Sequence, residues 1–413
     1  MKLFKKTAII SAVLIAIILL VAAGVFISLL LIKLPYNVQE KAFISDKITI
    51  SRNSKGFSTI EGTNREDLFF ALGYVHAKDQ LNIMEYQRGI ATGYAQIFAP
   101  GSADYLNRLA ALIGFKKEAF SILSQMDEKE IASLTSYCGG VNFIRKSFSG
   151  VEKLEQDWEP ADVIALLIMR EWINSYLNNI ELMINVNESI TAGAQKKFRN
   201  QKYIRYYSSD QLKHIETIHA IKDLLEKHIG IFNRGHSVYI AENLHISPSG
   251  DSTVFSHLDS ISTYPSWYPV KIKLGSKEVF AVTCTGMPFL FSFRKDDSFF
   301  YHFNINADTQ DFFIIETAMR DNDPVYRSSG TLKKFETILN PAFSGNPETL
   351  PTLRITDKGP VLNDIFSTSS NNNSIIALNF ILPDIKYIKL LLNIPFEDNY
   401  NKLSSNIQQI KAS

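Results

Sequence analysis

The sequence predicts an α+β fold in which a helical region precedes a strand-rich one, with a separate apolar helix at the N-terminus. Three observations carry this. Ala8 to Ile32 is a run of 25 residues without a charge. Apolar residues then recur at helical spacing up to about His228. From about Gly230 the pattern changes to short alternating segments separated by turn residues. Helices followed by strands point to α+β and away from a doubly wound parallel sheet. The expected organisation is residues 1–33 as a cytoplasmic stub and transmembrane anchor, 34–229 as a mostly helical region, and 230–413 as a strand-rich region.

The N-terminal run is long enough to span a bilayer, because about 20 apolar helical residues cross the hydrocarbon core. A cleaved signal has a shorter apolar stretch, about 7–15 residues, so an uncleaved anchor is the expectation. Lys2, Lys5 and Lys6 precede the run and should remain cytoplasmic. The bulk of the chain would then be periplasmic or extracellular. A formal net charge of +1, from 43 basic and 42 acidic residues, leaves no basic surplus for phosphates and excludes nucleic acid as a partner on charge grounds. Two cysteines, Cys138 and Cys284, leave their pairing open, and neither has a second ligand at metal-binding spacing.

Along the chain, Lys47–Ser51 alternates as a strand, Asn53–Gly56 supplies a turn, and Phe57–Ile60 resumes the extended pattern. Asn64 is placed to cap a helix with Glu66 and Asp67 in its first turn. Leu68, Ala71, Leu72, Val75, Leu81 and Met84 give that helix an apolar face. Further helices are expected at 116–125, 129–148, 161–185 and 222–228, with Pro160 at the start of the third. Strands are expected within 236–241, 252–257, 267–274, 278–285, 288–293, 298–305 and 374–382, with helical segments after the last.

The string from Ile48 to Gly93 resembles the N-terminal signature of the penicillin acylase (penicillin amidase) family. Gly73, Tyr74, Val75, His76, Ala77, Asp79, Met84, Glu85 and Arg88 stand as that signature asks, while Asn53 replaces an Asp and Gln80 an Arg. Later segments follow in the family's order: YCGGVNFI at 137–144, DWEPADVIAL at 157–166, YPSWYPVKIKL at 264–274, GMP at 286–288, NADTQDFFIIE at 306–316 and ITDKGPVLND at 355–364. The resemblance implies a hydrolase of non-peptide carbon–nitrogen bonds with an N-terminal nucleophile. Such a chain cuts itself before a Ser, whose freed amine serves as base for its own hydroxyl. An α-amine with pKa near 8 suits that role at neutral pH. Residues 34–229 would correspond to the family's α chain and 230–413 to a shortened β chain.

The resemblance also locates departures. The nucleophile string is matched by Gly235-His236-Ser237-Val238-Tyr239-Ile240-Ala241. His236 falls on the nucleophile and Ser237 on the following Asn. Imidazole cannot make the N-to-O acyl shift, so the expectation is a protein without self-cleavage or family-type amidase activity. Ser237 remains as a shifted nucleophile, although a one-residue slip changes the face of a strand. In the oxyanion region Phe289 and Phe293 replace glycines, Lys295 replaces an Asn, and Asn304 is the best match for the backbone donor. Family members run several hundred residues further, so the antiparallel strands of the layered αββα core are expected to be incomplete unless a second, C-terminal chain completes them. The resemblance further implies a partial Ca²⁺ site from Glu181, Asp308, Gln310 and Asp311, of the hard oxygen type that suits this ion. A third carboxylate would lie beyond residue 413. Trp267, Tyr268, Phe289, Phe291 and Phe293 have two roles open, lining a pocket for a small acyl-amide ligand or packing the core. The readings that stay open are a non-catalytic binding protein, an amidase using Ser237 or a second chain, and a remnant without a stable fold.

Overall fold

A computed structural model of the protein describes residues 15, 17–24, 44–148, 150–177, 179–183, 209–229, 232–241, 253–260, 267–295, 298–301, 309–339, 352–366, 373–393 and 396, with strands 232–241 and 253–260 described by their backbone. The chain divides into two compact units, 1–43 and 44–413. In the first, residue 15 and residues 17–24 are helical and exposed. Among the described residues no helix is long and apolar enough to cross a membrane. Most of the 8–32 run lies outside them.

The second unit is α+β. Its first strands, β1 (Thr49–Arg52) and β2 (Ser58–Gly62), flank the expected turn. There Asn53 Oδ1 accepts from the amides of Lys55 and Phe57, each at 3.0 Å. Helix α1 (Arg65–Thr92) follows. Asn64 Oδ1 accepts from the Asp67 amide at 2.8 Å, as an N-cap should. The Asp67 carboxylate in turn holds the amides of Ser45 and Asp46 at 3.0 and 2.9 Å, fixing the entering chain. Gly93 ends the helix in the left-handed conformation at φ 82°. The backbone is non-helical at Gln80, which kinks α1.

Helices α2 (Ala103–Ile113), α3 (Phe115–Leu123), α4 (Glu128–Ser147), α5 (Pro160–Leu177) and α6 (Ser209–His228) complete the helical part. A reciprocal capping box between Asp127 and Glu130 starts α4. α2 falls in the stretch expected to be mostly helical, although no separate bounds are expected for it. α5 stops at Leu177, short of residue 185, and α6 begins well before residue 222. α5 starts at Pro160 as expected, but it is buried at every position from Ala161 to Arg170, so its sequence shows no polar stripe to mark where it ends. α1 and α4 cross in backbone contact. A Cβ on Gly73 would collide with the Tyr137 carbonyl, and one on Gly140 with the Phe70 carbonyl. Only glycine admits that approach.

The strands are β3 (Phe232–Ala241), β4 (Thr253–Ser260), β5 (Trp267–Leu274), β6 (Lys277–Cys284), β7 (Met287–Lys295), β8 (Ser298–Tyr301), β9 (Gln310–Arg320), β10 (Asp323–Ser328), β11 (Thr331–Lys334), β12 (Glu336–Leu339), β13 (Thr352–Thr356), β14 (Gly359–Pro360) and β15 (Ser374–Phe380), before helix α7 (Ile385–Asn393). A six-stranded sheet has the order β1-β2-β5-β6-β7-β8. Its β2–β5 pair is parallel, with Ser58 opposite Val270. The other sheets are β11-β10-β9-β15, β12-β13-β14 and β3-β4. One apolar core joins Leu72, Val75 and Met84 of α1, Leu166 and Trp172 of α5, and Val270, Phe289 and Phe291 of the large sheet. Cys138 and Cys284 are both buried and are not joined in a disulfide.

Candidate functional site

The residues of the N-terminal signature converge with later segments in the interior. His76, on α1, is fully buried. Its Nε2 lies 2.9 Å from Thr283 Oγ1 and its Nδ1 2.8 Å from Tyr137 Oη. Thr283 spends its proton on the Tyr268 carbonyl at 2.9 Å, so its oxygen must accept from His76 Nε2–H. His76 Nδ1 therefore accepts from Tyr137, whose oxygen accepts in turn from the Gly286 amide. Gly286 makes the turn between β6 and β7 at φ 87°, a conformation that favours glycine. Burial lowers the His76 pKa to about 3, so the imidazole is neutral at physiological pH. Held at both nitrogens, it ties α1 to α4 and β6. It is a structural relay and has no free nitrogen for substrate.

The same device recurs nearby. Tyr268 Oη donates to Asp79 Oδ2 at 2.7 Å and meets Ser58 Oγ at 2.8 Å, while Arg52 grips both Asp79 oxygens at 2.7 and 2.8 Å. Burial, the largest cause, and the Asp79 charge push the Tyr268 phenol well above its ordinary value. Glu85, wholly buried, accepts from Arg145 Nε and Trp158 Nε1, each at 2.8 Å. Arg88 joins Glu85 at 3.6 Å to Asp162 at 2.9 Å, donates to the carbonyls of Gln156 and Asp157, and lies over the Trp158 ring. Lys116 also binds Asp162. Buried charges need such partners to offset desolvation. The strings MEYQR and DWEPAD thus recognise each other. Arg145 and Lys116, which complete the network, were not singled out in the sequence.

The segment matched to the nucleophile lies on β3. It pairs antiparallel with β4, placing His236 opposite Leu258, Ser237 opposite His257 and Tyr239 opposite Phe255. The register is irregular between Phe232 and His236. Alternation puts His236 and Ser237 on opposite faces of this ladder. Lys295 ends β7, opposite Val279 and Ser298. Asn304 and Asp308 lie outside the described residues.

The aromatic residues take the packing role. Tyr268, Phe289, Phe291 and Phe293 are buried core residues, and Trp267 packs against them. The Arg170 guanidinium lies over Phe291 at 4.2 Å and Trp267 at 4.9 Å, and Phe293 stacks on Phe300 at 5.2 Å. Phe289 and Phe293, expected from the resemblance to stand at glycine positions, are thus rings packed in the core.

Of the residues named for calcium, Glu181 sits on the 3₁₀ turn Ile180–Met183 and is half-buried. Gln310 is buried, donating Nε2 to the Trp172 carbonyl and accepting from Asn179 Nδ2. Asp311, next on β9, is exposed. Among the described residues no group of three or more His, Cys, Asp or Glu side chains is placed to hold a metal. One feature does fit a hard cation. Asn179 Oδ1 is buried and has no hydrogen-bond partner among the described residues. Its amide cannot be turned round, because Nδ2 faces the Tyr176 carbonyl and Gln310 Oε1, both acceptors.

A family model described as penicillin amidase matches residues 47–413. The chain belongs to the penicillin amidase family. Among curated proteins, this family member is 22% identical over 401 residues to the acyl-homoserine lactone acylase QuiP of Pseudomonas fluorescens, covering 91% of this chain and 48% of that one. It is 23% identical over 404 residues to the QuiP of Pseudomonas syringae pv. syringae and 24% over 407 residues to that of pv. tomato, covering 89% of this chain and 48% of the relative in both cases. The penicillin amidase family member therefore spans about half the length of the curated relatives it matches. Its signature residues, placed in the relay and the ion network, are architectural.

Proposed function

We propose that this protein is a penicillin amidase family member that keeps the amide-hydrolase scaffold but remains one uncut chain, without the family's N-terminal nucleophile. The observation that carries this reading is His236 at the position matched to the self-cleaving Ser. An imidazole offers no hydroxyl to attack the preceding carbonyl. One further feature supports it. Phe289 and Phe293 occupy with buried rings the positions where the family has glycine. In this reading a small acyl-amide or acyl-lactone ligand is the natural occupant. The uncharged N-terminal run supports attachment to a membrane with the bulk of the chain outside the cytoplasm.

Calcium is a subsidiary proposal. Glu181, Asp308, Asp311 and the Gln310 carbonyl would hold the ion, with Asn179 Oδ1 as a further oxygen, and its charge would fasten the end of α5 to the start of β9. A second reading, an amidase that cuts before Ser237, rests on the hydroxyl at that position. Intact-mass measurement of the denatured protein decides between the two. A single species at full mass is expected. Two fragments with a new N-terminus at Ser237 would overturn the uncut-chain reading.

A further inference from the structure

Helix α6 is tied to its surroundings at three levels. Near its start, His214 Nε2 lies 2.9 Å from Ser374 Oγ of β15. In its middle, the Ile218 carbonyl accepts from Tyr176 Oη of α5 at 3.0 Å, and Ile218, Ile221, Leu224 and Leu225 are buried. At its last residue, His228 Nδ1 lies 3.0 Å from Tyr86 Oη of α1. The Tyr86 ring is set edge-on to Phe98, with centroids 6.1 Å apart. Residues 229–231 then lead directly into β3, the strand of His236 and Ser237.

His228 Nε2 is buried and has no hydrogen-bond partner among the described residues. A neutral imidazole accommodates this: with Nδ1–H donating to Tyr86, only a lone pair on Nε2 goes unmet. An imidazolium carries an N–H on both nitrogens, and one of them would be charged, buried and without an acceptor. The neighbours offer no compensation. α1 presents the Tyr86 phenol, backed by the Phe98 ring, while Glu85 and Arg88 on either side of it in sequence are engaged with Arg145 and Asp162. On its own helix the charge acting on His228 is Lys227, of like sign. A helix C-terminus favours a cation, but burial first and Lys227 second hold the His228 pKa below its ordinary value. We propose that the His228–Tyr86 contact is an acid-released latch, which holds the last turn of α6 on α1 at neutral pH and frees it, with the connection into β3, when His228 takes up a proton. In the released turn the imidazole is in water and protonates near pH 6.5. The latched value is the lower one, so the latch is complete above about pH 6.5 and weakens as pH falls toward the latched value. Each pH unit in that window should raise the released population by up to about tenfold. The latch is the same in a cut or an uncut chain, since both of its residues precede residue 236.

Hydrogen exchange of the full chain in mild detergent, read by mass spectrometry at about pH 7 and about pH 5.5, tests the latch. Observed rates are divided by the intrinsic rates at each pH, so that only protection is compared. In the wild-type protein, protection of the amides from Leu225 to His228 should fall by up to about tenfold at the lower pH. His228→Asn places an uncharged amide where Nδ1 stands and cannot take up the proton. In that variant the last turn should be equally protected at both pH values. The α5 amides, which exchange through global opening, should respond to pH alike in the two proteins. Tyr86→Phe should lower protection of the last turn at pH 7, and it carries the test if His228→Asn fails to fold. Wild-type protection indifferent to pH, an equal fall in His228→Asn, or unchanged protection in Tyr86→Phe overturns the latch.

Discussion

His76 donates its Nε2–H to Thr283 Oγ1 at 2.9 Å, and the direction of that bond fixes the tautomer of a fully buried imidazole. The folded protein holds His76 neutral down to about pH 3. The unfolded chain takes up that proton near pH 6.5. The folded pKa is therefore depressed, so the His76 contribution is complete above about pH 6.5 and declines as pH falls toward 3. The loss should approach about 1.4 kcal/mol per pH unit in that window. Urea midpoints from pH 7 to pH 4 measure it. His76→Phe should be less stable at pH 7 and flatter below it, and equal slopes for the two proteins would refute the assignment.

Gly73 and Gly140 meet the carbonyls of Tyr137 and Phe70. Gly73→Ala or Gly140→Ala should cost about 3 kcal/mol, at the upper end for overpacking, because backbone and not a flexible side chain stands in the way. Gly101, where nothing lies within contact distance, is the control. Thermal unfolding of the three variants checks this.

Glu85 bears the charges of Arg145 and Arg88 in the interior. Glu85→Leu should destabilise by about 3–5 kcal/mol, since two guanidinium groups lose a buried counter-charge. Glu85→Leu combined with Arg145→Met should recover part of that loss. A double-mutant cycle by denaturant unfolding reads the coupling, and strict additivity would show that the pair is not coupled.

Calcium should raise the unfolding temperature of the wild-type protein in a concentration-dependent way. Glu181→Gln should weaken that response, and Asn179→Leu should as well, since it removes the unpaired buried oxygen. A melting temperature indifferent to millimolar calcium would leave Asn179 Oδ1 to be satisfied by water.

The sequence made the helix caps legible because their chemistry is local. Asn64 and Asp67 stand where their bonding rules put them, as does the turn at Asn53. The start of α5 was legible from Pro160, but its end was not, since a helix buried on all sides carries no polar stripe. Strands β9 to β12 went unassigned because only single residues and tight turns separate them, and β13 was missed as well. Of the site, His236 and Ser237 could be named from their string, but not the residue opposite Ser237. Strand register is set by the whole ladder, so His257 read as one more alternating residue. Lys116 and Arg145 were hidden for a similar reason, being partners of charges far away in sequence.

The parallel pairing of β2 with β5 binds residues 58–62 to residues 270–274. A break in the backbone anywhere near residue 236 would leave one half of that pair on each piece. The pieces would stay laced through the middle of the large sheet and elute together on a native sizing column. An intact native particle therefore carries no information about the integrity of the chain, and the chain must be unfolded before its covalent state is judged.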